Sequence, residues 1–147
     1  LFVEYIYLWV PTFSLLLSQL LKPVFYFVGH RKWSWRRLFG SGGMPSGHAA
    51  FTTSLATLVG LNRSFSSPEF AISALLAFVV MYDARGVRHA SGSHANYLNN
   101  LVEDLAENIR NGELFNKLKT EIGHTTLQVA WGFIVGIAVG YGAYFCS

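Results

Sequence analysis

The stretch Gly42-Gly43-Met44-Pro45-Ser46-Gly47-His48 is a glycine-rich turn that ends in a histidine and runs into an apolar segment starting Ala49-Ala50-Phe51. Successive backbone N–H groups in such a turn, at the positive end of a following helix, make a site for an anion. A histidine at that spot can give a proton to a leaving oxygen. Two other polar clusters sit at the ends of apolar segments: Asp83-Ala84-Arg85-Gly86-Val87-Arg88 closes one, and Gly123-His124-Thr125 opens another. Brought together, the three clusters place two histidines, two arginines and an aspartate at one level. Helix starts at His48 and His124 then aim two positive dipole ends inward. The chemistry these residue types suit is phosphate chemistry beside a membrane.

Four apolar segments have to position these clusters, over residues 1–21, 49–61, 70–82 and 129–145. A bilayer crossing needs about 20 residues. The first and fourth segments are long enough and nearly free of charge. The second and third are short and must borrow flanking residues to span, which is the best support for the alternative of a soluble helical core. Composition favours the membrane: 52% of the residues are apolar and 13% charged, against roughly 25% charged in soluble domains. The expected fold is all-α, a polytopic helical bundle of about four transmembrane helices in one domain over residues 1–147.

Charge placement agrees. With four crossings, every Lys and Arg except Arg63 falls on one face, in or beside the first connection (Lys22, Arg31, Lys32, Arg36, Arg37) or the third (Arg85, Arg88, Arg110, Lys117, Lys119). The positive-inside rule makes that face cytoplasmic or its organellar equivalent. The net charge of +3 then describes a membrane-facing surface rather than a nucleic-acid binder. Trp33 and Trp35 among cations suit the headgroup layer. A single cysteine, Cys146, excludes an internal disulfide and a cysteine metal site. No basic stretch precedes the first apolar run, so no cleavable signal peptide is expected, and the start at Leu1 reads as a trimmed or processed product.

The third connection is long and patterned. Leu98, Leu101, Val102, Leu105 and Ile109 recur at helical spacing, Asn111-Gly112 stops that helix, and Leu114, Phe115, Leu118 and Ile122 begin another. These are expected to be amphipathic helices on the membrane surface or over a site, or else ordinary packing helices. His89 and His94, in a serine-glycine stretch, are expected to face solvent. Ser67-Pro68-Glu69 reads as a helix start. Gly132, Gly136 and Gly140 give the last segment a smooth face for close helix contact, within the chain or with a second copy or partner subunit.

The ordered set of motifs resembles the divergent branch of the type 2 phosphatidic acid phosphatase superfamily, also described as acid phosphatase/vanadium-dependent haloperoxidase-related proteins. Nearly the whole chain is covered. The resemblance rests on Gln19-Leu20-Leu21-Lys22, on residues 42–48, on Val80-Met81-Tyr82-Asp83-Ala84-Arg85-Gly86-Val87-Arg88, on Leu98-Asn99 and on Gly123-His124-Thr125. It implies hydrolysis of a phosphate ester or diphosphate on a membrane lipid or polyprenyl carrier, with no metal or other cofactor. His124 would be the nucleophile that forms a phosphohistidine, and His48 the general acid. Gly43, Ser46 and Gly47 would cradle phosphate, with Lys22, Asp83, Arg85 and Arg88 supplying the charged ligands. The superfamily has a carboxylate four residues after its nucleophilic histidine; here that residue is Gln128, which can orient the ring but adds no charge.

Each assignment has a plainer alternative. Ser46 can be only a helix cap, His124 can cap the last helix, and Asp83 can pair with Arg85 or Arg88 as a structural ion pair. A non-catalytic protein that binds anionic lipid, or a subunit of a membrane assembly, is therefore the rival to the phosphatase.

Overall fold

The computed structural model describes residues 5–35, 38, 42–108 and 124–146, with the backbone alone at 87–89 and 104–108. Among these residues five helices follow one another: α1 (Ile6–His30), α2 (Gly47–Arg63), α3 (Pro68–Arg85), α4 (Val87–Asn108) and α5 (Thr126–Cys146). No strand occurs among the described residues.

The polarity of the bundle is that of a membrane protein. Small and hydroxyl side chains are inside: Ala49, Ala50, Ser14, Ser18 and Ser54 are wholly buried. Large apolar ones face out, as at Leu8, Trp9, Phe13, Leu16, Ile72, Leu75 and Phe78. Water would penalise that arrangement at about 25 cal/mol per Å² of exposed apolar surface, whereas lipid does not. The soluble-core alternative is thereby excluded. Among the described residues three helical runs are long and apolar enough to cross a membrane: Ile6–His30, Pro68–Glu103 and Thr126–Cys146.

The expected fourth crossing, α2, does not meet that criterion. It has 17 residues, about 25 Å of helix, and much of it is Thr, Ser and Gly. Its place in the bundle explains the composition, because α1, α3 and α5 all pack on it and little of it is left for lipid. The inner stripe of α1 is Pro11, Ser14, Ser18 and Lys22, at spacings of three and four. Ser14 donates across to the Ala50 carbonyl at 3.1 Å.

The α2–α5 contact is the tightest. A Cβ built on Gly132 would collide with the Ser46 carbonyl oxygen, one on Gly136 would stand 2.7 Å from the Ala50 oxygen, and one on Gly140 would stand 2.7 Å from the Thr57 Cβ. Both sets of numbers rise together, so the two helices run parallel with their N-termini side by side. The glycine face is thus filled within the chain, the first of the two alternatives expected for it, and is not a surface for a second copy or subunit.

Helix ends follow from local chemistry. Ser67 caps α3, accepting from the Phe70 N–H at 3.2 Å, and Pro68 follows it. α1 runs on past Leu21 to His30, ending at Arg31 with φ 56°. Gly86 joins α3 to α4 with no loop, so the serine-glycine stretch is helical and exposed His94 rides on α4. Among the described residues α4 packs on α3 alone, and does not close over a site. The stop at Asn111-Gly112 and the helix expected over Leu114, Phe115, Leu118 and Ile122 lie outside the described residues.

Replacing Gly136 by Leu should loosen the α2–α5 seam and cost about 1–3 kcal/mol or more through overpacking. Gly142→Leu, where nothing lies within 4 Å of the added Cβ, should leave the melting temperature in detergent within a few degrees of wild type.

Candidate functional site

The topology gathers the C-terminal half of α1, the start of α2, the end of α3 and the approach to α5 at one end of the bundle. Backbone bonds tie them together. The Ser46 N–H donates to the Gln128 carbonyl at 2.9 Å, and the His124 N–H donates to the Ala84 carbonyl at 3.0 Å. The second bond draws the Asp83–Arg85 cluster to His124.

The two histidines meet, with ring centroids 6.4 Å apart and planes inclined by 57°. His48 lies in the first turn of α2 and is exposed, while His124 is 3% exposed and stands just before α5. The α5 start is a capping box. Thr125 is the cap residue: its N–H donates to Gln128 Oε1 at 3.1 Å, and the Gln128 N–H donates back to the Thr125 hydroxyl at 3.4 Å. His124 is therefore not the cap. The pattern Thr-x-x-Gln before an apolar run was legible in the sequence and is the signal that finds Thr125.

The same Gln128 oxygen lies 3.1 Å from His124 Nδ1. Because a backbone N–H already donates to it, this atom is the amide oxygen and not the nitrogen. It can only accept, so in the neutral ring Nδ1 carries the hydrogen and Nε2 keeps its lone pair. Gln128 thus does for ring orientation what a carboxylate would do, without a charge to offset an imidazolium.

Other expected residues have firm structural duties. Ser46 is wholly buried and is the N-cap of α2, accepting from the Ala49 N–H at 3.4 Å. Gly47 is buried, and a Cβ there would stand 2.8 Å from Leu15 Cδ1, a side-chain tip that would have to move aside. Gly43 has φ +101°, a conformation that favours glycine. Lys22 is 3% exposed and its stem runs past Gly43.

A pocket of about 300 Å³ opens beside them, lined by Lys22, Gly43, Thr125 and Gln128 together with Tyr26 and His30. Neither catalytic candidate histidine lines it, so Gln128 is the residue shared by the pocket and the ring pair. Tyr26 and His30, stacked at 4.4 Å, were not expected in the site. They come from the helical continuation of α1 past its apolar run. Asp83 is half-buried and Arg85 exposed, whereas the Arg88 side chain lies outside the described residues.

The comparisons agree with this architecture. Residues 3–139 match the Divergent PAP2 family. The chain belongs to that family. It is also 35% identical, over 133 residues and 84% of each chain, to the uncharacterized membrane protein YuiD of Bacillus subtilis (strain 168). No solved structure matches significantly. Family membership, the relative and the three apolar helices together make this an integral membrane protein of helical-bundle fold.

Nitrogen-15 NMR of the histidine-labelled protein should find neutral His124 protonated on Nδ1. Gln128→Leu should abolish that preference and cost about 1 kcal/mol of stability through loss of the side-chain half of the capping box.

Proposed function

We propose that this protein hydrolyses a phosphate ester or diphosphate on a membrane lipid through a phosphohistidine on His124. The observation that carries this reading is the convergence of His48 and His124, 6.4 Å apart, at the paired N-termini of two parallel helices. Rings this close are within reach of one phosphoryl group, for which the chemistry needs attack from about 3–3.5 Å by one nitrogen and a hydrogen bond of about 3 Å from the other to the leaving oxygen.

The steps balance. Nε2 of His124 attacks phosphorus, the bond from phosphorus to the lipid oxygen breaks, and protonated His48 gives that oxygen its proton. Water then attacks the phosphohistidine, neutral His48 takes the water's proton, and inorganic phosphate leaves. Charge on the equatorial oxygens is offset by first-turn N–H groups such as that of Gly47, which no intrahelical carbonyl can take, and by Lys22, Arg85 and Arg88. No metal or organic cofactor is required. Ser46 contributes through the turn it caps. We read this end as cytoplasmic or its organellar equivalent, because the basic residues of the sequence cluster in the connections assigned to it.

The rival reading is a catalytically weak or inactive binder of anionic lipid. It draws on neutral Gln128 beside His124 and on the separation of the Lys22 pocket from the two rings.

Phosphate release from a panel of lipid and polyprenyl phosphates, measured with the purified protein in EDTA, should decide between them. His124→Ala should fall to background. His48→Ala should fall by roughly 10²–10⁴ on lipid substrates but far less on p-nitrophenyl phosphate, whose leaving group needs no proton. Silence of the folded wild type across the panel would leave the binder reading.

A further inference from the structure

The pocket of about 300 Å³ beside the histidine pair takes no part in the phosphoryl and proton transfers, since neither His48 nor His124 lines it. Its lining carries one sign of charge. Lys22 stands at its buried end, 3% exposed, and among the described residues around it none is acidic. From Lys22 the pocket follows α1 for about 12 Å to Gly29 and His30, both exposed, at the end of the helix. A ligand can therefore reach the cation from water or from the headgroup layer. The volume is about ten times the roughly 30 Å³ of a water molecule, room for an oxyanion and part of its hydration.

Two neutral donors accompany Lys22, and bonds made outside the pocket orient both. Gln128 Oε1 is held by the Thr125 N–H and His124 Nδ1, each at 3.1 Å. Its amide N–H groups stand on the other branch of the amide and are left for the pocket that Gln128 lines. Thr125 Oγ1 accepts the Gln128 N–H at 3.4 Å, which leaves its own hydrogen to donate. A cation joined by hydroxyl and amide donors, with no carboxylate in the wall, is a donor set for an oxyanion.

Gln128 thus stands between this pocket and the His124 ring. An anion that accepts from the amide N–H groups draws electron density onto the amide oxygen, because hydrogen bonds in a chain polarise one another. The bond from His124 Nδ1–H to that oxygen strengthens in turn. We propose that the Lys22 pocket binds a small oxyanion of the phosphate class, and that this anion acts through Gln128 to supply the negative charge that a carboxylate would place behind His124. The anion is a second ligand, distinct from the reacting phosphoryl group. The proposal rests on His124 as the nucleophile, makes Gln128 a positioning residue, and narrows the part of Lys22 to balancing the charge of the second anion.

The test titrates inorganic phosphate into the purified full chain in a neutral detergent, with affinity read by calorimetry and the His124 Nδ1–H proton by NMR. Binding should survive in the His48→Ala/His124→Ala double variant within about twofold, as expected for independent sites. Adding Lys22→Met to that variant should weaken it about tenfold or more, the loss of one charge-assisted hydrogen bond. Gly29→Phe, at the mouth, where an added Cβ meets nothing within 4 Å, should weaken it as well without disturbing the fold. With both histidines present, phosphate should move the Nδ1–H resonance downfield, and Lys22→Met should hold it still. Gln128→Glu should show the downfield position with no phosphate present and bind phosphate about tenfold more weakly, because it carries the charge itself. Loss of binding in the double variant, or a resonance shift that persists in Lys22→Met, would overturn the proposal. A separate arm replaces free phosphate by phosphatidylglycerol in the micelles, and whichever of the two moves the resonance identifies the source as free ion or headgroup. Phosphate release from the lipid panel is scored apart: a responding pocket without release keeps the anion site and removes the phosphatase, and release without a responding pocket does the reverse.

Discussion

The close parallel contact between α2 and α5 is the constraint on which the rest depends. Helix backbones approach this nearly only where one of them lacks side chains, and Gly132, Gly136 and Gly140 supply that on α5. Parallel packing in that register sets two helix N-termini side by side. His48 and His124 therefore meet although 76 positions of sequence separate them. The Ser46 to Gln128 bond pins the same register at the site end. A slip of one turn, about 5.4 Å, would separate the rings beyond any shared phosphoryl group.

The interior of this bundle is polar by the standard of a soluble protein. In a membrane, burial of apolar surface offers little between helices, since lipid is as apolar as leucine. Close packing and hydroxyl-to-carbonyl bonds hold the helices instead, as at Ser14 and Ala50. That physics makes α2 short, small-sided and hydroxylic, and it frees the outer faces for Leu, Phe and Trp.

Capping chemistry and the geometry of the histidine pair share atoms here. Gln128 oxygen serves the first turn of α5 and the Nδ1 side of His124 at once. Ser46 caps α2 and presents its own N–H to α5. A residue drawn into a site by sequence motif can therefore be explained twice, and only its partners say which duty its atoms perform.

The sequence by itself determined the membrane setting, the apolar segments, the caps at Ser46 and Ser67, and the polar clusters that end the segments, because each depends on residue types close in the chain. Helix lengths were less legible: α1 continues through Lys22 and Pro23, where burial holds what local hydropathy would end. Only the tertiary structure decided that α2 is enclosed by its neighbours, that the glycine face serves this chain and not a second one, and that the Lys22 pocket and the histidine pair adjoin through Gln128. These depend on which faces of distant helices meet, and the register of a helix pair is fixed by the fit of two surfaces that no single stretch of sequence contains.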